Sequence, residues 1–189
     1  MASIDILGRN IPVEFMTGSE PQLVMDEAAI LEKLGEMAAL IDSKAWPDQY
    51  ADAFRIMNKI VFFEGMIEVD GHEVERPGCD QDDAIFYWRS KEFTDNPQND
   101  VHGNTFFHDC WHVVQFRAAG DYARGEDEQV AREIDAINQQ IAVGEILGND
   151  EYELGYLRGF RDDQQRIKDR LREGIDKAGP HPTGFPQKQ

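Results

Sequence analysis

The sequence predicts an α+β fold: N-terminal helices, a small mostly antiparallel sheet, then a histidine-bearing helix and two long C-terminal helices. Three observations carry this. Near the N-terminus, Ile30, Leu34, Met37 and Ile41 recur at helical steps of four, three and four. The middle of the chain, 60–89, holds short apolar runs separated by turn residues. From Asn104 onward, apolar residues return to helical spacing. With 189 residues and a hydrophobic fraction of 41%, the chain suits one globular domain with a substantial core. That domain is expected over 1–177. Residues 178–189, with their three prolines and two glycines, are expected to be a flexible C-terminal tail.

Residues 3–7 and 11–16 alternate weakly around Gly8-Arg9-Asn10 and predict a short hairpin or edge strand. Ser19 as N-cap, Pro21 in the first turn and Gln22 completing a capping box predict the start of the first helix. Trp46-Pro47 ends it, and Tyr50, Phe54 and Met57 mark a second, shorter helix. The run Ile60 to Phe63 suits a buried strand. Ile67 to Val74 suits a hairpin, because Asp70-Gly71 supplies what a type I′ turn requires. Ala84 to Arg89 suits a further strand, while 75–83 and 90–103 are polar and read as loops. A helix is expected from about Thr105 to Ala119, stopped by Gly120. Another is expected over about 127–147, with Val130, Ile134, Ile137, Ile141 and Ile146 on its apolar side. The last helix is expected to follow Asn149 as N-cap, with Tyr156, Phe160, Ile167, Leu171 and Ile175 as its stripe.

Asp and Glu number 37 against 19 Lys and Arg, a formal net charge of -18. Such a surface repels nucleic-acid phosphates and anionic lipid, so neither nucleic acid nor membrane is expected as a partner. A peptide or protein substrate, or a basic protein partner, fits the charge. No apolar run approaches the length of a membrane span, and the N-terminus lacks the pattern of a secretory signal. A cytoplasmic protein is the expectation. The two cysteines, Cys79 and Cys110, do not make a disulfide framework. Cys110 reads as a small core residue or a thiolate ligand.

The chemistry concentrates in Asn104-Thr-Phe-Phe-His-Asp-Cys-Trp-His-Val-Val-Gln115. On a helix, His108 and His112 lie one above the other, so both imidazoles can reach one ion. A carboxylate follows the first histidine. His-Glu-x-x-His on a helix binds zinc through both histidines, with the Glu as general base. Asp109 is shorter by one carbon–carbon bond, about 1.5 Å. A third ligand is needed, and Glu133 is the candidate, since it sits among Val130, Ile134 and Ile137 on the inward stripe of the next helix. Glu126, Glu128, Asp135 and Glu145 are alternatives, with Asp135 expected to point to another side. His102 is read as a fourth ligand, a transition-state donor or a loop residue. Tyr122 is read as a carbonyl-polarising group or packing, and His72 and His181 as surface residues.

His108 to Gln115 resembles the active-site helix of zincin-like, gluzincin-type zinc metallopeptidases, in which His-Glu-x-x-His is followed by Val-Val-Gln. Those families take their third ligand from a Glu-x-x-Ala pattern on a following helix, and Glu133-Ile-Asp-Ala136 is similar. The resemblance is close over about 35 residues and looser over 60–150. It implies Zn²⁺ held by His108, His112 and Glu133, with Asp109 acting on a metal-activated water to cleave peptide bonds. It also implies a last sheet strand, here 84–89, that holds an extended substrate. The chain departs from the pattern at Asp109 and at Ile137, where Asp or Asn is common. A degenerate zincin fold serving as an acidic, non-catalytic binding protein is the alternative. A third reading takes His108-Asp109 as the doublet of an HD-type metal-dependent phosphohydrolase, with His72 or His102 and Asp135 or Asp150 completing the set.

Overall fold

The computed structural model describes residues 2–18 and 25–172. It is an α+β fold, but the sheet comes first. β1 (Ala2–Ile6) and β2 (Arg9–Thr17) form an antiparallel hairpin, turning through Leu7 and Gly8 at φ of 53° and 78°. Two helices follow, α1 (Glu27–Asp42) and α2 (Asp48–Phe54). Then come β3 (Lys59–Glu64), the small hairpin β4 (Ile67–Val69) and β5 (His72–Val74), β6 (Gly78–Asp80) and β7 (Ile85–Arg89). The chain continues with α3 (Ser90–Asp95), α4 (Asn99–Ala119), α5 (Glu126–Leu147) and α6 (Glu151–Arg172).

The main sheet has the order β1-β2-β3-β7-β6. The outer pairs are antiparallel, while β2–β3 and β3–β7 are parallel. The expectations of helices first and of a mostly antiparallel sheet are therefore both corrected. Local alternation reveals a strand but not its partner. Here α1 and α2 serve as the crossover that lets β2 and β3 run in the same direction. The unbroken apolar run of β3 has a physical reason, because both its faces are covered. Ile60 and Phe62 face the helices with Phe86 and Trp88. Val61 and Phe63 face the β4–β5 hairpin, packing with Tyr87, Ile67 and Val74. The hairpin turns through Asp70 and Gly71, both at positive φ (51° and 80°), as the type I′ expectation requires.

Several boundaries move. Residues 75–83 are not all loop: Gly78–Asp80 pairs with β7 and becomes the outer strand. The strand over 84–89 is consequently interior, not the edge. The expected loop 90–103 holds α3 and the first turn of α4. The first helix starts at Glu27, with the Asp26 carboxylate accepting from the Ala29 amide at 3.1 Å. The capping box over Ser19–Gln22, the tail and His181 lie outside the described residues. α6 is capped by Asp150, whose carboxylate accepts from the Glu153 amide at 2.9 Å, rather than by Asn149. Its buried residues are Leu154 and Gln164, so Tyr156 and Phe160 do not form the expected core stripe.

α4 is the central helix. It packs on α1, α2, α5 and β6, and its buried side includes Phe106, Phe107, Cys110 and Val113. Gly103 permits the crossing near its start: a Cβ there would lie 3.3 Å from Leu147 of α5 and 3.6 Å from Ile41 of α1. Gly120 ends α4 at φ 69°, as expected. Among the described residues, no helix is long and apolar enough to cross a membrane.

Candidate metal centre

The i, i+4 spacing on α4 places the two imidazoles together, with rings 4.6 Å apart and nearly perpendicular. Their Nε2 atoms are 3.0 Å apart. From α5, the Glu133 carboxylate reaches both, at 3.5 Å from His108 Nε2 and 3.2 Å from His112 Nε2. A tetrahedral ion bound at about 2.0–2.2 Å sets neighbouring N and O ligand atoms roughly 3.3–3.5 Å apart. The three atoms thus sit almost where one small ion would hold them. Among the described residues this is the only group of three or more His, Cys, Asp or Glu side chains with that convergence. The three side chains keep 18%, 15% and 20% of their surface exposed, so the cluster is deep-set but open on one side.

A chain of hydrogen bonds fixes the second histidine. Gln115, one turn on, has its Nε2 within 2.8 Å of both the Arg132 carbonyl and the Asp135 carboxylate. An amide nitrogen only donates, so Oε1 must face His112 Nδ1, at 3.0 Å. Nδ1 therefore carries a proton and donates it, leaving Nε2 as the nitrogen turned to Glu133. Asp135 is held in turn by the Trp111 indole N–H at 2.8 Å and by Gln139 at 3.4 Å, and Gln139 accepts from the Tyr50 hydroxyl at 2.9 Å. Asp135 was expected on another side of α5. The long side chains of Trp111 and Gln115 reach round the helix to meet it.

The two histidines differ electrically. Burial, aided by the neighbouring His112, holds His108 neutral, with its pKa down to about 4 against the opposing pull of Glu133. Its Nδ1 is buried without a formed hydrogen bond, although the Gln140 amide lies beside the ring and favours the charged form slightly. Burial also disfavours charge on His112. There the hydrogen bond and charge of Glu133 outweigh burial, with help from Asp109 and Gln115, and raise its pKa. Without an ion, His108 is a neutral imidazole, and beside it the Glu133 carboxylate favours the charged form of His112.

Asp109 lies between α4 and the edge strand. The Cys79 thiol of β6 donates to its backbone carbonyl at 3.6 Å and also engages its carboxylate. Burial and the adjacent Asp109 keep that thiol protonated. Burial raises the Asp109 pKa to about 6, with Glu133 adding to it and with His112 and Cys79 pulling the other way.

The remaining candidates fall elsewhere. His102 is in the first turns of α4 and fully within the core, against Trp88 and Phe93, with Nε2 3.0 Å from the Asn96 carbonyl. It is neither a loop residue nor part of the metal cluster. Tyr122 packs on Phe116 with ring centres 4.7 Å apart. Glu128 pairs with Arg132 and Glu145 with Arg158, while His72 lies in β5. Cys110 is a core residue. Cys79, Gln115 and Trp111 were not singled out from sequence as site residues. Gln115 had a local signal, since it follows His112 by three residues on one helix face, whereas Cys79 arrives only through tertiary packing. Comparison with protein-family models, curated proteins and solved structures finds no match to this chain.

Proposed function

We propose that the chain is a zinc-dependent hydrolase of metallopeptidase type, acting on peptide bonds. The observation that carries this reading is the convergence of His108 Nε2, His112 Nε2 and Glu133 within 3.0–3.5 Å of one another. Two imidazoles and one carboxylate are the donor set of many catalytic zinc sites, which leave a fourth position open. The partial exposure of all three side chains is consistent with that open position. A bound zinc ion supplies a nucleophile at neutral pH, by acidifying water, and polarises a carbonyl.

The protein's own residues have separate roles. Gln115 and Asp135 hold His112 in the tautomer that presents Nε2. Asp109 takes a proton from the attacking water, and Cys79 steers its carboxylate from the edge strand. An extended peptide adds to the outer edge of β6, next to α4, in the manner of strand addition. The net charge of -18 favours basic peptides.

A second reading, a metal-holding protein without catalysis, is favoured by one observation: the Asp109 carboxylate is already engaged by Cys79. Elemental analysis of untagged protein is the first test. About one zinc per chain is expected, lost in the His108→Ala and His112→Ala variants. Iron in its place would point to oxygen chemistry on the same donor set, and an absence of stoichiometric metal would end the hydrolase reading. Turnover of peptide libraries by the wild type and Asp109→Glu, but not Asp109→Ala, is the second test. Bound zinc with no turnover in any of the three would favour the binding protein.

A further inference from the structure

α4 and α5 run antiparallel, and three contacts fix their register. Gln115 meets the Arg132 carbonyl at 2.8 Å and Trp111 meets Asp135 at 2.8 Å. A Cβ on Gly144 would lie 2.8 Å from Asn104 Nδ2. Each turn back along α4 is thus matched by a turn forward along α5. His108, one turn before His112, falls opposite residues 139 and 140. Gln139 is turned toward Asp135 and Tyr50. Gln140 is buried, 9% exposed. It lies two turns past Glu133 on the same face of α5, with the buried Ile137 between them.

His108 lacks what Gln140 offers. An imidazole that ligates through Nε2 carries its proton on Nδ1, so Nδ1 is a donor. In His112 that donor is taken by Gln115 at 3.0 Å. In His108 the same atom is buried with no hydrogen bond formed. A buried donor without an acceptor is costly, and the register brings the Gln140 amide beside it. The amide also favours a proton on the ring, as a carbonyl acceptor does and a donor does not.

We infer that Gln140 is the positioning residue of His108: its Oε1 accepts from Nδ1–H and so holds the ring with Nε2 turned to the ion. The inference rests on the reading of His108, His112 and Glu133 as a metal centre. Each imidazole then has its own glutamine, Gln115 from within α4 and Gln140 from across the seam. α5 supplies a ligand and an orienting group seven residues apart.

Zinc competition against a chelator, with proton NMR of the imidazole N–H groups, tests this on the full chain. The zinc-loaded wild type should show the Nδ1 protons of His108 and His112 both shifted downfield by hydrogen bonding. Gln140→Met keeps the side chain's bulk and removes the acceptor. It should raise the zinc dissociation constant about 10–100-fold. The His108 signal should move upfield while that of His112 stays, whereas a loss of packing alone would move both. Gln140→Glu keeps an acceptor in place and should recover most of the affinity. A wild type without stoichiometric zinc ends the metal reading and this inference with it. With zinc bound, three results overturn the role of Gln140 alone: unchanged affinity in Gln140→Met, equal movement of both histidine signals, or a Gln140→Glu no better than Gln140→Met. Should Gln140→Met fail to fold, the wild type decides, since a His108 Nδ1 proton without the downfield shift also overturns it.

Discussion

The two histidines that the motif treats as equivalent are held differently, and this makes Gln115 a sensitive residue. Its Oε1 accepts from His112 Nδ1 only because its Nε2 is committed to Asp135 and the Arg132 carbonyl. Gln115→Leu removes the tautomer constraint without touching a ligand. It is expected to weaken zinc binding about 10–100-fold in chelator competition, the usual range for an outer partner of a ligand. An unchanged affinity would show that the hydrogen bond is incidental. His102 tests the core in a different way. Burial holds its pKa down to about 4 from the usual 6.5, so between those values the unfolded chain takes up a proton that the folded chain refuses. Stability from this residue is therefore complete above about pH 6.5 and is lost as pH falls toward 4, by about 3 kcal/mol. The urea midpoint of His102→Leu, though lower at pH 7, should change less between pH 7 and 4.5 than that of the wild type. At this scale the sequence was informative wherever a contact is local. His108 and His112 are one turn apart, and Glu133 betrays itself as a carboxylate on an apolar stripe. Asp135 and Cys79 are joined to the site by packing between elements, which no spacing rule reveals.

Among the elements, helices were easier to read than strands. An apolar stripe belongs to one segment, so α5 was expected close to where it lies and the stripe of α1 was placed on the right helix, although α1 starts at Glu27 rather than at the expected capping box. The start of α4 was missed because its buried first turns carry His102, Gly103 and Asn104, which show no apolar period. β6 was missed because three residues beside a proline and acidic turn carry no alternation, and pairing with β7 alone makes them a strand. The stripe on α6 was assigned to the core when its aromatic part faces outward, since periodicity gives a face but not its covering. Helix glycines make a further comparison at this scale. A Cβ on Gly144 would lie 2.7 Å from Asn149 Oδ1, 2.8 Å from Asn104 Nδ2 and 3.0 Å from Leu154, all inside the α4–α5–α6 junction. On Gly35 of α1 it would meet nothing within 4 Å. Gly35→Ala should stabilise the protein by about 0.5–1 kcal/mol through helix propensity. Gly144→Ala carries the same propensity gain but must displace two buried amides, and overpacking of about 1–3 kcal/mol makes the net effect a loss. Thermal unfolding of the two variants should shift in opposite directions. A stabilised Gly144→Ala would mean the junction is looser than these distances imply.

For the molecule as a whole, an ion at His108, His112 and Glu133 would tie α4 to α5 across the seam on which the C-terminal half is built. Folding and metal binding are then linked, because the unfolded chain cannot bring residues of two helices to one ion. With free zinc at a hundred times its dissociation constant, the gain is about 2.7 kcal/mol. For a chain of this size that corresponds to roughly 5–10 °C in Tm. The surface complicates a simple titration. With a net charge of -18, exposed carboxylates attract any divalent cation, and relief of their mutual repulsion stabilises the fold without a site. Magnesium at matched concentration measures that general effect, since it takes oxygen ligands and leaves imidazole pairs largely alone. The site-specific part is the excess of zinc over magnesium. It should be present in the wild type, absent in a His108→Ala/His112→Ala double variant, and smaller below neutral pH. The pH effect follows from the raised pKa of His112: Glu133 stabilises its proton in the ion-free state, and that proton must leave before Nε2 can ligate. Calorimetry in buffers of different ionisation enthalpy should therefore register proton release on zinc binding near neutral pH. Equal stabilisation by zinc and magnesium, or a zinc excess that persists without the two histidines, would assign the effect to the acidic surface and remove the link between metal and fold.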